Sequence, residues 1–572
     1  MLSLLLLTLA AAPQGDQSYE DQLVAEVLTT KGLTLESAPQ GKLIEQVVVT
    51  TEEIISPTLD PWPQFLNWIH VRSRESMVRR EVLLEPGAVY DEDRARETER
   101  ILRGLFIFAV AKVVAAQGEH GGVTLVVVTK DRWSLRFNSE FLYSGGVLQY
   151  LRLRPTEENF LGRNTQVSLD FILRRDVFQL GQAFTDRRGL GSDLTISENA
   201  LLIFNRGTGA LEGTVGSAFV GKPLLNLSQP WAFGVSGNWN VRRRRIFRGA
   251  SVWQLPYPDD SASGGSVPYV YDVREGGGSA SVTRSFGLTT KVNLTGAVGG
   301  YLHQYTPPPG GALTDEQRAW LVDNYLPRSE NALYGYVSLS AYPVNYVTLR
   351  DIDSFQLTED YHLGPFVSAA ARWAVPTPWT SHFIEVGATV RYRWLLEGDL
   401  LTIGAAGVAR AVPGKGIFNR HWALELSNVS PPFEGGRFVT RLYFEGLAYD
   451  LDHGRFLLGS ESGLRGAPAE SLSGTKKLLG NVEYRTRAFV WNTVVVGFVL
   501  FYDVGSAYDA TVVLTHTMGI GTRILLPQVN QDVIRIDFGM VLGGDGRPGL
   551  DRFTATFGQV TDSHPGILDN PL

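Results

Sequence analysis

Three residues define the chemistry open to this chain. Arg465 lies in Leu464-Arg465-Gly466-Ala467, Glu483 in Gly480-Asn481-Val482-Glu483-Tyr484-Arg485, and Asp503 in Phe501-Tyr502-Asp503-Val504-Gly505-Ser506. Successive side chains of a strand point to opposite faces. Glu483 and Asp503 therefore face away from Val482, Tyr484, Phe498, Leu500 and Tyr502. If the apolar face meets lipid, both carboxylates point into a barrel lumen. A guanidinium on an inward-folding Arg-Gly loop can satisfy them, because its planar fork holds a carboxylate bidentately and stays charged. This is electrostatic anchoring rather than bond-making. An ordinary Arg-Gly turn beside unrelated carboxylates is the plainer alternative, and the shared parity weighs against it.

No enzymatic constellation accompanies these residues. The nine histidines are scattered, without the H-E-x-x-H spacing that puts two zinc ligands on one helix face. Gly459-Ser460-Glu461-Ser462-Gly463 has Glu461, not a serine nucleophile, at its centre. Gly519-Ile520-Gly521 lacks the third glycine of a dinucleotide loop. His70 reads as structural. No cofactor and no metal site is expected, and a net charge of -7 argues against a nucleic-acid partner.

The elements that must carry the triad are strands. From Trp133 to Val560 the pattern is β throughout. Thr165, Val167, Leu169, Phe171 and Leu173 alternate with Gln166, Ser168, Asp170 and Arg174, and Ile534, Ile536, Phe538 and Met540 alternate with Arg535 and Asp537. A soluble sandwich core rejects charge on its second face; a polar lumen accepts it. The 61 glycines and 11% aromatics fit tight turns and interfacial girdles. Zero cysteines suit an oxidising compartment where a stray thiol risks a wrong disulfide. Two long insertions, about 247–278 and 306–331, read as extracellular, and Thr314-Asp315-Glu316-Gln317 opens a short helix in the second as a capping box. The run Arg242-Arg243-Arg244-Arg245 sits at a strand end; it reads as a solvated loop in preference to a contact for lipopolysaccharide phosphates.

The N-terminal part is organised differently. Residues 1–12 read as a secretory signal with cleavage after Ala12, although a basic start is missing. Residues 13–42 read as a flexible lead-in. Between 43 and 130 the pattern is β-α-α-β-β: a strand over 44–50, a helix over 64–70, a helix from Asp91 to Leu105, and strands at 107–114 and 123–129.

The Arg-Gly loop ahead of two lumen-acidic strands resembles the signature of the BamA/TamA family of outer-membrane barrels, the bacterial surface antigen superfamily. Ala467 stands where that family usually has Phe or Tyr. Glu158-Asn159-Phe160-Leu161-Gly162-Arg163 resembles the turn after the family's second strand, and Gly519 to Arg523 with Ile534 to Asp537 resemble its closing strands. The β-α-α-β-β stretch resembles a POTRA domain. The resemblance implies a mainly β protein: a transmembrane antiparallel β-barrel of about sixteen strands at 131–572, preceded by a small α+β POTRA domain at 43–130. It implies a lumen loop of Leu464, Arg465, Gly466 and Ala467, with Glu483 and Asp503 as acidic partners. It also implies a lateral gate where the first strand, with Trp133, Leu135 and Phe137, meets the last, with Phe553 and Phe557; a fully closed seam remains the alternative. The implied setting is the outer membrane of a Gram-negative bacterium with the POTRA domain in the periplasm. The implied partners are outer-membrane lipid and lipopolysaccharide, unfolded outer-membrane or secreted clients, and periplasmic accessory proteins or lipoproteins. The implied function is client insertion or translocation. A dedicated two-partner exporter and a passive channel or structural barrel remain as alternatives.

Overall fold

A computed structural model of the chain describes residues 19–54, 70–105, 107–144, 146–189, 192–224, 229–248, 251–258, 265–310, 313–353, 358–491, 494–525, 533–543, 553–557 and 568. The expected signal (1–12) and residues 64–69 of the expected helix over 64–70 lie outside these residues, and His70 is not helical. The chain divides into two compact units, one of 1–137 with 155–169 and 183–187, the other of 138–154, 170–182 and 188–572.

The first unit holds α1 (Tyr19–Lys31), β1 (Ile44–Glu52), α2 (Glu75–Arg80), α3 (Glu92–Gly104), β2 (Phe108–Gln117) and β3 (Val123–Asp131). The sheet order is β1-β3-β2, with β1 parallel and β2 antiparallel to β3. Every residue of β3 is buried, which explains its run of valines: a central strand covered on both faces needs no alternation. On one face α2 and α3 bring Met77, Val78, Ala95 and Leu102 against Val47, Val113, Leu125 and Val127. The α3 helix starts as its sequence indicates, with the Asp91 carboxylate accepting from the Asp93 and Arg94 N–H groups at 2.9 and 3.3 Å. The other face corrects the reading of 13–42 as a lead-in. There α1 packs Leu23, Val24, Val27 and Leu28 onto Val110, Ala116, Val126 and Val128. Those four side chains form a narrow stripe of barely two turns, too short to stand out among polar neighbours. His70 is structural: its ring Nε2 and the Ser73 N–H both meet Asp131 Oδ2, at 2.8 and 2.7 Å. The Ser73 hydroxyl accepts from the Asn159 amide at 2.8 Å, within the turn flagged at 158–163.

The β-rich remainder closes into an antiparallel barrel of twenty strands among the described residues, a correction to sixteen. Three of these strands are each broken in two: Leu135–Phe137 with Glu140–Ser144, Val147–Leu153 with Pro155–Glu157, and Lys476–Thr486 with Phe489–Trp491. The wall is inside-out relative to a soluble protein. Phe233, Val235, Val298, Val386, Phe438, Leu500 and Ile520 are exposed, while Glu385, Arg437, Arg441, Glu445, Asn481 and Arg535 are buried. An apolar outer band around a charged interior is the pattern of a membrane-spanning barrel. Interior charges pair across neighbouring strands, as in Arg441–Glu425 at 2.7 Å and Arg372–Glu385 at 2.9 Å.

Antiparallel alternation sorts the connections by end. The seventh-to-eighth, ninth-to-tenth and fifteenth-to-sixteenth connections (246–269, 307–329 and 449–475) share one end. The first insertion is shorter than expected, because Gly276, Gly277 and Gly278 lie within the strand Val270–Phe286. In the second, α4 (Asp315–Asn324) carries the expected capping box on Thr314 and Gln317. The two insertions pack together, Leu255 and Val267 against Leu313, Leu321 and Leu326. The tenth-to-eleventh connection lies at the opposite end and contains the hairpin Tyr346–Arg350 with Thr358–His362.

Candidate functional site

The strands Lys476–Thr486 and Val494–Tyr508 pair so that Asn481 faces Asp503 and Glu483 faces Phe501. Alternation then buries Asn481, Glu483, Arg485, Phe501 and Asp503, and exposes Val482, Phe498, Leu500 and Tyr502. The loop before the first of these strands turns inward and delivers Arg465, which is fully buried, as are Glu483 and Asp503. Arg465 grips Asp503 with both donors of one guanidinium edge, Nε to Oδ2 at 2.8 Å and Nη2 to Oδ1 at 2.6 Å, and its backbone N–H adds a third bond at 3.1 Å. Its remaining Nη1 donates to Glu483 Oε1. The guanidinium lies 3.8 Å from the centre of the Phe501 ring, within cation–π range.

Two small residues let the loop come this close. Gly466 has φ +81°, and a Cβ there would sit 2.5 Å from the Gly539 carbonyl carbon; both the left-handed backbone and the contact demand glycine. Ala467 is buried with Leu458, Leu464 and Leu479.

The sequence pointed to three charges; the site has more. Arg485 Nε donates to Glu483 Oε2 at 2.8 Å, and Arg523 Nη2 lies 3.7 Å from Glu483 Oε1. Arg523 Nη1 also donates to Asp537 Oδ1 at 2.7 Å, and Arg535 stands 3.3 Å from that carboxylate. The Asn481 amide bridges Asp503 and the Gly463 carbonyl, both at 2.8 Å. Inward parity was the available signal: Asn481 and Arg485 flank Glu483 at two-residue steps, and Arg523, Arg535 and Asp537 lie on the inward faces of the next two strands. Nothing local foretold the far contact of Arg485, whose Nη1 donates to the Ile352 carbonyl at 2.7 Å. Ile352 belongs to the hairpin connection from the opposite end. Glu483 and Arg485 therefore join two insertions that enter the lumen from opposite ends.

The same loop reaches the seam. The Ser460 hydroxyl contacts that of Ser144, and Ser144 pairs with Thr554 where the first strand meets the last. This junction consists of Thr554–Ser144, Ala555–Tyr143 and Thr556–Leu142, three paired residues among those described. The wall strands Trp231–Arg245 and Val270–Phe286 share fifteen. Phe553 packs edge-on against Tyr143, centroids 5.6 Å apart, and Phe557 pairs with Ile534. Leu135 and Phe137 pair with Glu157 and Pro155 rather than with the last strand, and Trp133 precedes the first strand segment. The junction is therefore built five to nine residues further along than Leu135 and Phe137, beyond the interruption of the first strand between Phe137 and Glu140.

Arg242 to Arg245 close the strand Trp231–Arg245 and are not a loop. Arg243 pairs with Asp272 at 2.8 Å, and Arg245 with Asp176 and Glu212 at 2.9 and 2.7 Å.

No protein-family model and no curated protein matches the chain. Solved structures do. BamA from Haemophilus ducreyi lacking POTRA domains 1-3 aligns at 11% identity and TM-score 0.39, over 90% of this chain and 84% of that one. CdiB from Acinetobacter baumannii aligns at 12% and 0.41, over 91% and 74%, and CdiB from Escherichia coli at 10% and 0.39, over 92% and 79%.

Proposed function

We propose that this chain is a Gram-negative outer-membrane barrel of the BamA/TamA type that inserts β-rich client proteins at its seam, with residues 19–131 as a periplasmic POTRA domain. One observation carries the reading: the loop that buries Arg465 against Glu483 and Asp503 also touches Ser144 of a junction with three paired residues among those described. An edge held by few main-chain bonds is a template on which another strand can add. The loop supports that edge from inside without sealing it. Clients dock by strand addition to the POTRA sheet, whose β-α-α-β-β order and mixed β1-β3-β2 pairing supply the edge. Client folding supplies the energy. Lipid and lipopolysaccharide surround the wall, and periplasmic accessory proteins or lipoproteins are the expected helpers.

Depletion followed by a proteomic census of outer membrane and medium tests this. Insertion predicts the loss of many outer-membrane barrels. Loss of one secreted protein alone would replace it with a dedicated exporter, and an unchanged census with a passive barrel.

A further inference from the structure

A cavity of about 550 Å³ lies beside the last turn of the Arg242–Arg245 strand. Six arginines line it, Arg174, Arg175 and Arg242 to Arg245, against three acids, Asp176, Glu461 and Glu470. Asp176 and Glu470 are ion-paired, whereas Glu461 keeps one buried oxygen, Oε2, without a hydrogen-bond partner among the described residues. Asp176 takes Arg245 and Glu470 takes Arg175 at 3.1 Å. Glu461 accepts from the Glu470 N–H and the Ser462 hydroxyl at 3.1 and 3.2 Å. Arg243 is held by Asp272. Three guanidinium groups remain without an ion pair among the described residues. Arg174 lies 5.0 Å over the Tyr150 ring, and Arg244 stands opposite Tyr271 on the neighbouring strand. Arg242 is the extreme case: its Nε is sealed from solvent and has no hydrogen-bond partner among the described residues. Arg244 and Arg174 act on it as like charges, and the carboxylate that opposes them, Glu275, is occupied by Asn240 and Tyr305 at 2.7 Å each.

Arg174 and Arg244 are exposed and Arg242 is half-buried with its Nε sealed; a partly desolvated cation without a counter-ion is costly, and here three like charges converge on one space. Arg242 and Arg244 stand two residues apart on one face of a strand, about 7 Å along it. Two planar forks at that separation can close on a tetrahedral oxyanion from two sides, whereas one carboxylate leaves most of the charge unmatched. We propose that this cavity binds a phosphate-class oxyanion, with Arg242 and Arg244 as its principal donors and Arg174 closing the third side. The chemistry is shared by free phosphate and by a phosphomonoester headgroup. The site borrows Glu461 and Glu470 from the Arg465 loop but shares no side chain with the Arg465 cluster, and it does not depend on the insertion reading.

The test is calorimetric titration of the purified full chain, in phosphate-free detergent, with inorganic phosphate and separately with glycerol 3-phosphate. Saturable binding of at least one is expected, weakened about 10- to 100-fold by Arg242→Gln, as for loss of charge-assisted bonds, and less by Arg242→Lys. Tighter binding of inorganic phosphate identifies the free ion; tighter binding of glycerol 3-phosphate identifies a headgroup. Arg244→Gln repeats the measurement should Arg242→Gln lose its heat-modifiable fold. No binding of either probe at millimolar concentration overturns the proposal. So does binding that folded Arg242→Gln or Arg244→Gln leaves unchanged.

Discussion

Replacing Arg465 with alanine removes three side-chain hydrogen bonds and the cover over Phe501 at once. The two carboxylates do not suffer equally. Glu483 keeps Arg485 at 2.8 Å and Arg523 at 3.7 Å. Asp503 keeps the Asn481 amide and the backbone N–H of residue 465, so it becomes a buried carboxylate with no cation within bonding distance. Charge-assisted bonds contribute about 1.5–3 kcal/mol each. Because Glu483 is largely rescued, the expected cost lies near that of breaking a buried pair, about 3–5 kcal/mol. Arg465→Lys keeps the charge but cannot hold Asp503 with two parallel bonds while reaching Glu483, so it recovers less than half of the loss. Asp503→Asn introduced into Arg465→Ala should restore part of the stability, because the orphaned charge is gone. Lys415→Ala, in an exposed turn, is the silent control. The assay is the denaturant midpoint for loss of the fast-migrating, unheated form in lipid vesicles. A wild-type midpoint for Arg465→Ala would show that lumen water screens the cluster and that the buried-charge reasoning is wrong.

Arg485→Ala cuts the bond to the Ile352 carbonyl, so the hairpin Tyr346–His362 should become open to limited proteolysis while the barrel stays heat-modifiable; unchanged cleavage would show that the hairpin holds without this latch. Residues 19–131 should fold alone with mixed α/β circular dichroism, and a random-coil spectrum would contradict the domain assignment. In that domain the Lys42 ammonium, 2.7 Å from Glu36, holds the Glu36 carboxyl below its usual range. The contribution is therefore complete above the unfolded value near 4.5 and lost as pH falls through the lower folded value. Glu36→Gln should flatten the acid limb of the stability curve, and an unchanged limb would place the acid sensitivity elsewhere.

The residues themselves show which parts of this protein can be read in advance. Glu483 and Asp503 were legible because a strand has a strict two-residue period, so a charge in an apolar alternation declares its face. The α3 cap at Asp91 and the box at Thr314 were legible because capping is local. Strand number was not. A wall with Gly276 to Gly278 inside a strand, and with breaks after Phe137, Leu153 and Thr486, blurs where one strand ends. The α1 helix was hidden because Leu23, Val24, Val27 and Leu28 make a stripe of barely two turns among polar neighbours, and the face it covers, with Val110 and Val126, lies far along the chain. Arg485 could be placed on the inward face, but its bond to Ile352 depends on a hairpin folding back from the other end, which no spacing encodes. Arg242 to Arg245 read as a solvated run because charge in sequence says nothing about whether Asp272, Asp176 and Glu212 stand across the ladder.

The central claim is that clients enter the membrane at the seam beside the Arg465 loop. The chain has no cysteine, so Tyr143→Cys with Ala555→Cys, directly paired across the junction, can lock it cleanly. The measurement is the level of folded outer-membrane barrels in depleted cells carrying this variant, with and without reductant. Rescue should fail while the seam is oxidised and be full once it is reduced. Equal rescue by the oxidised, demonstrably cross-linked protein would contradict it.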